Sequence, residues 1–458
     1  MKAGIVGAGI SGLATGQAIL AKDPGAEVVL FESSGRVGGK VISERTDEGY
    51  LCEWGVNGFL NKVPRTLELC DEVGVQPLPA DASAKRRYVF SEGSLHKLPE
   101  KPPEFLSSKL LSVTGRLRVI GEIFTGASGA DDETLAEFGV RHLGREAFEK
   151  LIDPMASGVF AGDARKMSLK SCFPRIHEVE SEYGSLIRGL IKLQKEARHA
   201  GAKETPGPGP GGILTSFAGG MSVLTDTLAA ELGGRVRLNA PVAGVTFEGG
   251  VYDVHLADGS SESFDRLVVA APAYVQARIL RDLSPAIADL VAEIPYPSLA
   301  VVCTGYRAER MERVPDGFGF LVPSRERRRI LGTVFDSNVF SGRAPEGRVL
   351  LRSMVGGARD SESANLPEGE LLDAVLGEHR DILGLNAEPD FARVYRHERA
   401  IPQYAVGHAA RLESIERELV RLPGLVLGGN AFRGVSLNDC VVNAGRTAEK
   451  LLGGDIGQ

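Results

Sequence analysis

Six residues precede the first glycine of a G-x-G-x-x-G turn (Gly7, Gly9 and Gly12) in a chain of 458 residues. What flanks that turn constrains the fold. Residues 3–6 form an apolar run of the length a buried parallel strand needs. Beyond the turn, Leu13, Ala14, Ala18 and Ile19 recur at helical spacing, and AEVVLFE (residues 26–32) reads as a second strand that ends on a carboxylate, Glu32. Strand, glycine turn, helix, strand and acidic residue within about 30 residues make a dinucleotide-binding unit. Gly7 allows the tight turn, Gly9 lets a pyrophosphate approach the backbone, and Gly12 lets helix and strand pack closely. The helix N-terminus offers free N–H groups to phosphates, and Glu32 can accept from ribose hydroxyls.

The next segment, SSGRVGGKVIS (residues 33–43), holds a second glycine pair, Gly38 and Gly39, with Ser33, Arg36 and Lys40 around it. A basic, glycine-rich loop here is expected to lie along the same pyrophosphate. This extension resembles the flavin amine oxidase superfamily, where it marks FAD. No second G-x-G-x-x-G follows, so no separate nicotinamide site is expected, and electrons would pass from substrate to flavin directly.

A net charge of −7 argues against a nucleic-acid partner. Five cysteines (52, 70, 172, 303 and 440) are scattered without C-x-x-C or metal-ligand spacing. They read as free thiols in a reducing compartment, with no metal site. The first strand begins too early to leave room for a signal peptide, and no run of 18 apolar residues exists to span a membrane. A cytoplasmic protein is the expectation.

The chain reads as α/β: a Rossmann-type FAD-binding domain, a mixed-sheet substrate domain and a mostly helical domain. The expected division is 1–80 (FAD-binding), 81–210 (substrate and helical), 211–278 (FAD-binding again), 279–421 (substrate-binding) and 422–458 (FAD-binding). PGPGPGG (residues 206–212) fits neither helix nor strand and reads as a linker or loop. VRLNAPVAGVTF (residues 236–247) reads as a short strand, and Asn438 to Ala444 is expected to open a C-terminal helix. Residues 180–200 are amphipathic, with Glu180 and Glu182 at the start. A core-facing helix is favoured over one lying on a membrane.

Five segments together resemble the oxygen-dependent, FAD-containing protoporphyrinogen oxidase family. They are AKRRYVF (84–90), SGVFAGDARKMSLKSCFP (157–174), GFGFLVP (317–323), IPQYAVGH (401–408) and GVSLNDC (434–440). Their order and spacing hold from residue 1 to about 450. The resemblance implies a p-hydroxybenzoate-hydroxylase-like FAD domain, a substrate domain, a mostly helical membrane-associating region over 81–210, and non-covalent FAD. It places Gly7, Gly9, Ile10, Ser11, Gly12 and Glu32 on the FAD fingerprint. It places Gly55, Val56, Asn57 and Gly58 on a loop touching the flavin, Val242 on the adenine side, and Val435, Ser436 and Leu437 on the C-terminal flavin loop. On the substrate side it implies Arg87 for a propionate, Phe318, Gly319 and Leu321 for the wall facing the macrocycle, Val334 and Met354 for further apolar contacts, and Gly158 near the ring. The family often has proline where this chain has Val56.

The implied activity is oxidation of protoporphyrinogen IX by dioxygen in haem biosynthesis, with six electrons removed and hydrogen peroxide formed. No catalytic acid or base is nominated from the sequence. Coproporphyrinogen III is the alternative substrate, and an amine oxidase on the same fold is more remote. Phe432 has no matching tyrosine for the paired-aromatic cage an amine oxidase needs. A non-catalytic carrier is disfavoured by the intact fingerprint. A homodimer and a peripheral contact at the inner face of a membrane are also consistent with the resemblance.

Overall fold

The computed structural model describes residues 1–199 and 211–453. β1 (Lys2–Val6), α1 (Ile10–Lys22) and β2 (Glu27–Phe31) form at the expected places. β1 is the middle strand of a five-stranded parallel sheet in the order Val236–Arg237, β2, β1, Arg266–Val269, Leu425–Leu427. Three stretches of chain, far apart in sequence, therefore share one sheet. β1 is apolar throughout its interior because both faces are covered. Ala3 and Ile5 pack with Leu13 and Ile19 of α1 and with helix Leu437–Leu451. Val6 joins Phe31, Phe264 and Leu267 on the opposite face.

A seven-stranded mixed sheet carries the other half of the molecule. Its order is Phe391–His397, Leu299–Arg307, Arg348–Gly356, Ile330–Val334, Gly319–Leu321, Arg87–Ser91, Ser94–Lys97. All neighbours are antiparallel except Gly319–Leu321 against Arg87–Ser91. Helix Glu368–Leu383 covers one face through Leu371 and Val375. From residue 102 to 199 the described chain is helical, without a strand.

Three local readings need correction. VRLNAPVAGVTF is not one strand. Asn239 has a φ of +52°, and the chain passes from the parallel sheet to a separate three-stranded antiparallel one at Val242–Glu248. The C-terminal helix begins at Leu437, one residue before the expected Asn438, because Ser436 and Asp439 close a capping box. The amphipathic helix of residues 180–200 is broken. Helix Pro174–Tyr183 stops at Gly184, whose φ is +71°, and a new helix runs Leu186–His199. Glu180 belongs to the first helix, where it is buried against Arg141 at 2.8 Å and His142 at 3.3 Å. The new helix takes its N-terminal cap from a distant residue: Glu122 accepts from Ser185 Oγ and from the N–H groups of Leu186 and Ile187. That pairing leaves no local signature. The linker of residues 206–212 lies outside the described residues except for Gly211 and Gly212.

A buried ion pair joins the two-stranded sheet Ser43–Arg45/Leu51–Glu53 to the segment that precedes strand Arg348–Gly356. Arg343 Nη1 sits 2.8 Å from Glu53 Oε1, and both side chains are wholly buried. Ser43 Oγ and the Met221 N–H also donate to Glu53, while Arg343 donates to Ser216 Oγ. Burial pushes the Glu53 carboxyl up, and the guanidinium opposes that push. Arg343→Met should therefore cost about 3–5 kcal/mol of stability by leaving Glu53 uncompensated. Glu53→Gln/Arg343→Met should recover part of that loss. Urea unfolding of the three proteins checks this, and equal midpoints for wild type and Arg343→Met would refute it.

Candidate functional site

The site begins where β1 turns into α1. Gly7 has a φ of +103°, and a Cβ on Gly12 would stand 1.9 Å from the Gly7 carbonyl oxygen. Only two glycines let α1 pack onto this turn. Gly9 is different: a Cβ there would meet nothing nearer than Gly39 Cα at 3.8 Å. Gly9 pairs with Gly38 in an isolated parallel bridge, so the two glycine segments lie side by side along one groove. No side chain caps α1, and its first residues, Ile10 and Ser11, line the groove. Uncapped helix N–H groups beside a bare glycine backbone form a cradle that fits a pyrophosphate.

The groove widens into a cleft of about 400 Å³. Gly7, Gly9, Ile10, Ser11, Glu32, Ser33, Arg36, Gly38, Gly39, Lys40, Val56, Val242, Val435 and Leu437 all line it. Glu32 Oε2 accepts from the Ala8 N–H at 3.0 Å and Oε1 from Ser34, which fixes the carboxylate at the groove edge. Arg36 donates to the carbonyls of Val37 and Gly39 and stiffens the second loop. Gly12 lies beneath the cleft as a packing residue. Ser436 lies outside the lining, its hydroxyl engaged in the helix cap.

The sequence reading missed how Lys40 is held. Its ammonium donates to the carbonyls of Arg399 and Ala400 and stands 5.0 Å from the centre of the Tyr296 ring. Burial lowers its pKa to about 8. Cys440 also lines the cleft, and burial raises its thiol to about 11. His408 is a packing histidine: it stacks on Tyr404 at 4.2 Å, its Nε2 bonds the Phe432 carbonyl, and burial lowers it to about 4.

The loop of residues 55–58 joins this cleft to the seven-stranded sheet. Arg352 Nη1 donates to the Gly55 carbonyl at 2.9 Å, and Asn57 Nδ2 donates to Asp336 Oδ1 at 3.0 Å. Gly58 packs on Leu214, where a Cβ would come within 3.1 Å of the side chain. Asp336 follows Val334 by two residues and Arg352 precedes Met354 by two. The loop is therefore pinned beside the predicted apolar wall.

The seven predicted substrate residues come together in one patch. Gly319 is registered with Val334 on one side and Arg87 on the other. Its φ is +139°, and a Cβ would lie 2.1 Å from the Thr333 carbonyl. Phe318, Val334 and Met354 share one cluster with Leu214. Gly158, in helix Asp153–Phe160, faces Leu321, which a Cβ would meet at 2.7 Å. Arg87 is exposed, with its guanidinium 5.2 Å from the centre of the Phe318 ring. Arg343, Asp336 and Arg352 were not found by the sequence reading. They sit in ordinary strand and turn contexts, and only the fold gives each its buried partner. Among the described residues no cluster of three or more His, Cys, Asp or Glu could hold a metal ion.

A parallel sheet with a nucleotide cradle at its first turn, next to a second sheet with an apolar patch, defines a class: dinucleotide-dependent oxidoreductases. The chain belongs to a particular family within it, the flavin containing amine oxidoreductases, which it matches over residues 10–452. It is an FAD-dependent oxidoreductase. It is 35% identical over 471 residues to the chloroplastic protoporphyrinogen oxidase of Oryza sativa subsp. japonica, covering 98% of this chain and 87% of that one. It is 30% identical to the coproporphyrinogen III oxidase of Bacillus subtilis, with 95% of each covered. A solved structure from Exiguobacterium sp. 255-15, provisionally assigned as a protoporphyrinogen oxidase, superposes with a TM-score of 0.83 at 25% identity, covering 98% of both chains.

Gly9 and Gly12 have separable roles in the cradle. Gly9→Val should leave the fold intact, because the space above Gly9 is open, and should abolish flavin binding by filling the cradle. Gly12→Val should destabilise the protein itself through its clash with Gly7. Flavin absorbance of the purified proteins and their melting temperatures separate the two. A yellow, fully loaded Gly9→Val protein would overturn the assignment of the cradle.

Proposed function

We propose that this protein oxidises protoporphyrinogen IX to protoporphyrin IX with dioxygen as the oxidant. The observation that carries the reading is the patch of Phe318, Val334 and Met354, with Leu321 against Gly158 and one exposed guanidinium, Arg87, at the edge. A porphyrinogen is an apolar macrocycle with carboxylates on its rim. It suits a greasy wall with a positive group at the margin. When bound, FAD supplies a two-electron acceptor. Three two-electron oxidations remove six electrons and six protons from the ring, and three dioxygen molecules leave as hydrogen peroxide. The chain's part is to exclude water, align the ring and hold its carboxylate. Its relatives' names support a porphyrinogen in two forms, protoporphyrinogen and coproporphyrinogen III.

Two further observations refine the reading. Among further candidate cations for the slot, Lys40 is bound to backbone carbonyls, Arg433 lies 3.8 Å from Glu416, and Lys62 stands beside Gly212. Arg352 faces Asp336 at 3.0 Å. Arg87 is the one basic residue among the seven predicted wall residues, and it has no carboxylate partner among the described contacts. Coproporphyrinogen III carries four propionates, and desolvating two more against these walls would be costly without partners. Protoporphyrinogen IX, with two, fits better. FAD is held without a covalent bond, because the one thiol in the cleft, Cys440, is kept protonated by burial and is a poor nucleophile.

The helical region supports a peripheral membrane contact. Val113, Leu117, Ile120 and Phe124 follow helical spacing along Val113–Ile120 and the turn after it, and all are exposed; Phe124 is 88% exposed. This stripe, rather than residues 180–200, is the surface that suits a lipid interface. Among the described residues no helix is long and apolar enough to cross a membrane.

Arg87→Ala should raise KM about ten- to a hundredfold, the cost of one charge-assisted hydrogen bond. The flavin released by acid denaturation should equal that of wild type. An unchanged KM would return Arg87 to an ordinary surface residue. The substrate is tested by kcat/KM for both porphyrinogens under the same conditions, with protoporphyrinogen IX expected to be favoured. A higher value for coproporphyrinogen III would overturn that choice. Wild type should sediment with vesicles of mixed zwitterionic and anionic phospholipid, and Leu117→Ser/Phe124→Ser should not. Equal sedimentation of the two would remove the membrane contact.

A further inference from the structure

Between strand Leu425–Leu427 and helix Leu437–Leu451 the chain passes the cofactor cleft, where Gly429 and Asn430 join its lining. Three carbonyls of this loop, on alternate residues, are taken by side chains from distant parts of the chain. Gln276 Nε2 donates to the Gly428 carbonyl at 2.9 Å, Tyr404 Oη to the Asn430 carbonyl at 2.6 Å, and His408 Nε2 to the Phe432 carbonyl at 3.1 Å. A carbonyl only accepts, so Nε2 of His408 carries the hydrogen. Gln276, Tyr404 and His408 are all buried. Tyr404 and His408 stack with 4.2 Å between ring centres and 12° between planes, which makes them one block. Both belong to the segment IPQYAVGH (401–408).

The three holders lie outside the cleft lining, so the carbonyls they take point away from the cleft. Across a peptide plane the next residue's N–H points opposite to the carbonyl. The N–H groups of Gly429 and Ala431 therefore turn to the cleft side of the loop. Among the described residues neither of them meets an acceptor, and neither does the N–H of Asn430 between them. Gly429 has a φ of +105°, which suits glycine and leaves the backbone bare at the cleft. With those carbonyls turned inward instead, oxygen atoms would line the cleft and repel an acceptor-rich ligand.

We propose that Gln276, Tyr404 and His408 are positioning residues for the cofactor. They draw the carbonyls of Gly428, Asn430 and Phe432 outward, and so present the N–H groups of Gly429 and Ala431 to acceptor atoms of bound FAD. FAD carries such acceptors on its pyrophosphate and on the carbonyl edge of its ring, and backbone N–H groups match either. The holding side chains touch the loop from behind and act only through it. The inference concerns the cofactor and is independent of which porphyrinogen is oxidised.

The test is the FAD dissociation constant of the flavin-loaded protein, read from the rise in flavin fluorescence on serial dilution. Tyr404→Phe removes one donor and frees the Asn430 carbonyl, and should weaken FAD binding about three- to tenfold. His408→Leu should weaken it by a similar factor. His408→Gln, whose side chain can still offer an Nε2 hydrogen at that reach, should restore most of the loss. The His408 pair covers the case in which Tyr404→Phe fails to fold. The flavin reduction potential tells which acceptor is met. Weaker binding with a lower potential supports the ring edge, where N–H donors stabilise the charge of reduced flavin. Weaker binding with an unchanged potential supports the pyrophosphate. A folded Tyr404→Phe protein with wild-type FAD affinity would overturn the proposal, as would equal affinities of His408→Leu and His408→Gln. A lower melting temperature with unchanged affinity would likewise overturn it, leaving the three as packing residues.

Discussion

Much of the molecule depends on how closely α1 approaches β1. The Gly7 carbonyl stands where any side chain at residue 12 would have to go. With hydrogen at that place, α1 can dock on the sheet and aim its uncapped N-terminus along the groove. The same docking sets α1 against helix Leu437–Leu451, which shares its core. That second helix brings Leu437 and Cys440 to the cleft. A contact between two residues five apart in sequence thereby draws the last part of the chain to the first.

The second constraint is electrostatic. Buried charges fix the junction: Glu53, in the two-stranded sheet Ser43–Arg45/Leu51–Glu53, pairs with Arg343, and Asp336 pairs with Arg352 on the seven-stranded side. Ion pairs of this kind add little net stability, because desolvation offsets most of the attraction. They do penalise every arrangement in which a partner is missing. Glu53 lies just before the loop of residues 55–58 and Asp336 just beyond Val334, so both pairs act at the junction of cleft and wall. Apolar packing could hold these segments as firmly, but it would tolerate small slides between them. Directed charge pairs do not, which suits a junction between the cofactor cleft and the apolar wall.

How much of this was legible in the sequence depended on range. The glycine turn, α1 and β2 are local, and their spacing alone is enough to find them. Residues 319 and 334 carried the family's pattern, and their register as strand neighbours follows from sheet geometry that the sequence does not print. The amphipathic stretch of residues 180–200 misled because helical periodicity continues across Gly184, while the cap that starts the second helix comes from Glu122, more than 60 residues earlier. The break at Asn239 was legible in Asn239-Ala240-Pro241, a turn-forming run that the apolar residues on either side masked. Arg343, Arg352 and Asp336 gave no signal, because a buried charge is recognised by its partner: Glu53 lies far from Arg343 in sequence, and Asp336 meets Arg352 only through the strand register.

Lys40 shows how these constraints meet at one atom. Its neighbours in sequence, Gly38 and Gly39, form the groove wall, so the side chain starts from the cofactor side. Its ammonium nevertheless ends on the carbonyls of Arg399 and Ala400, beyond the last strand of the other sheet. Burial disfavours the charged form, and the low pKa records that cost. A neutral lysine would still donate to those carbonyls. A charged one is better matched, because the cleft it borders is built for an anion: uncapped helix N–H groups, Arg36 and the bare glycine backbone all favour negative charge there. One lysine thus borders the cleft and holds the segment beyond the edge strand of the other sheet.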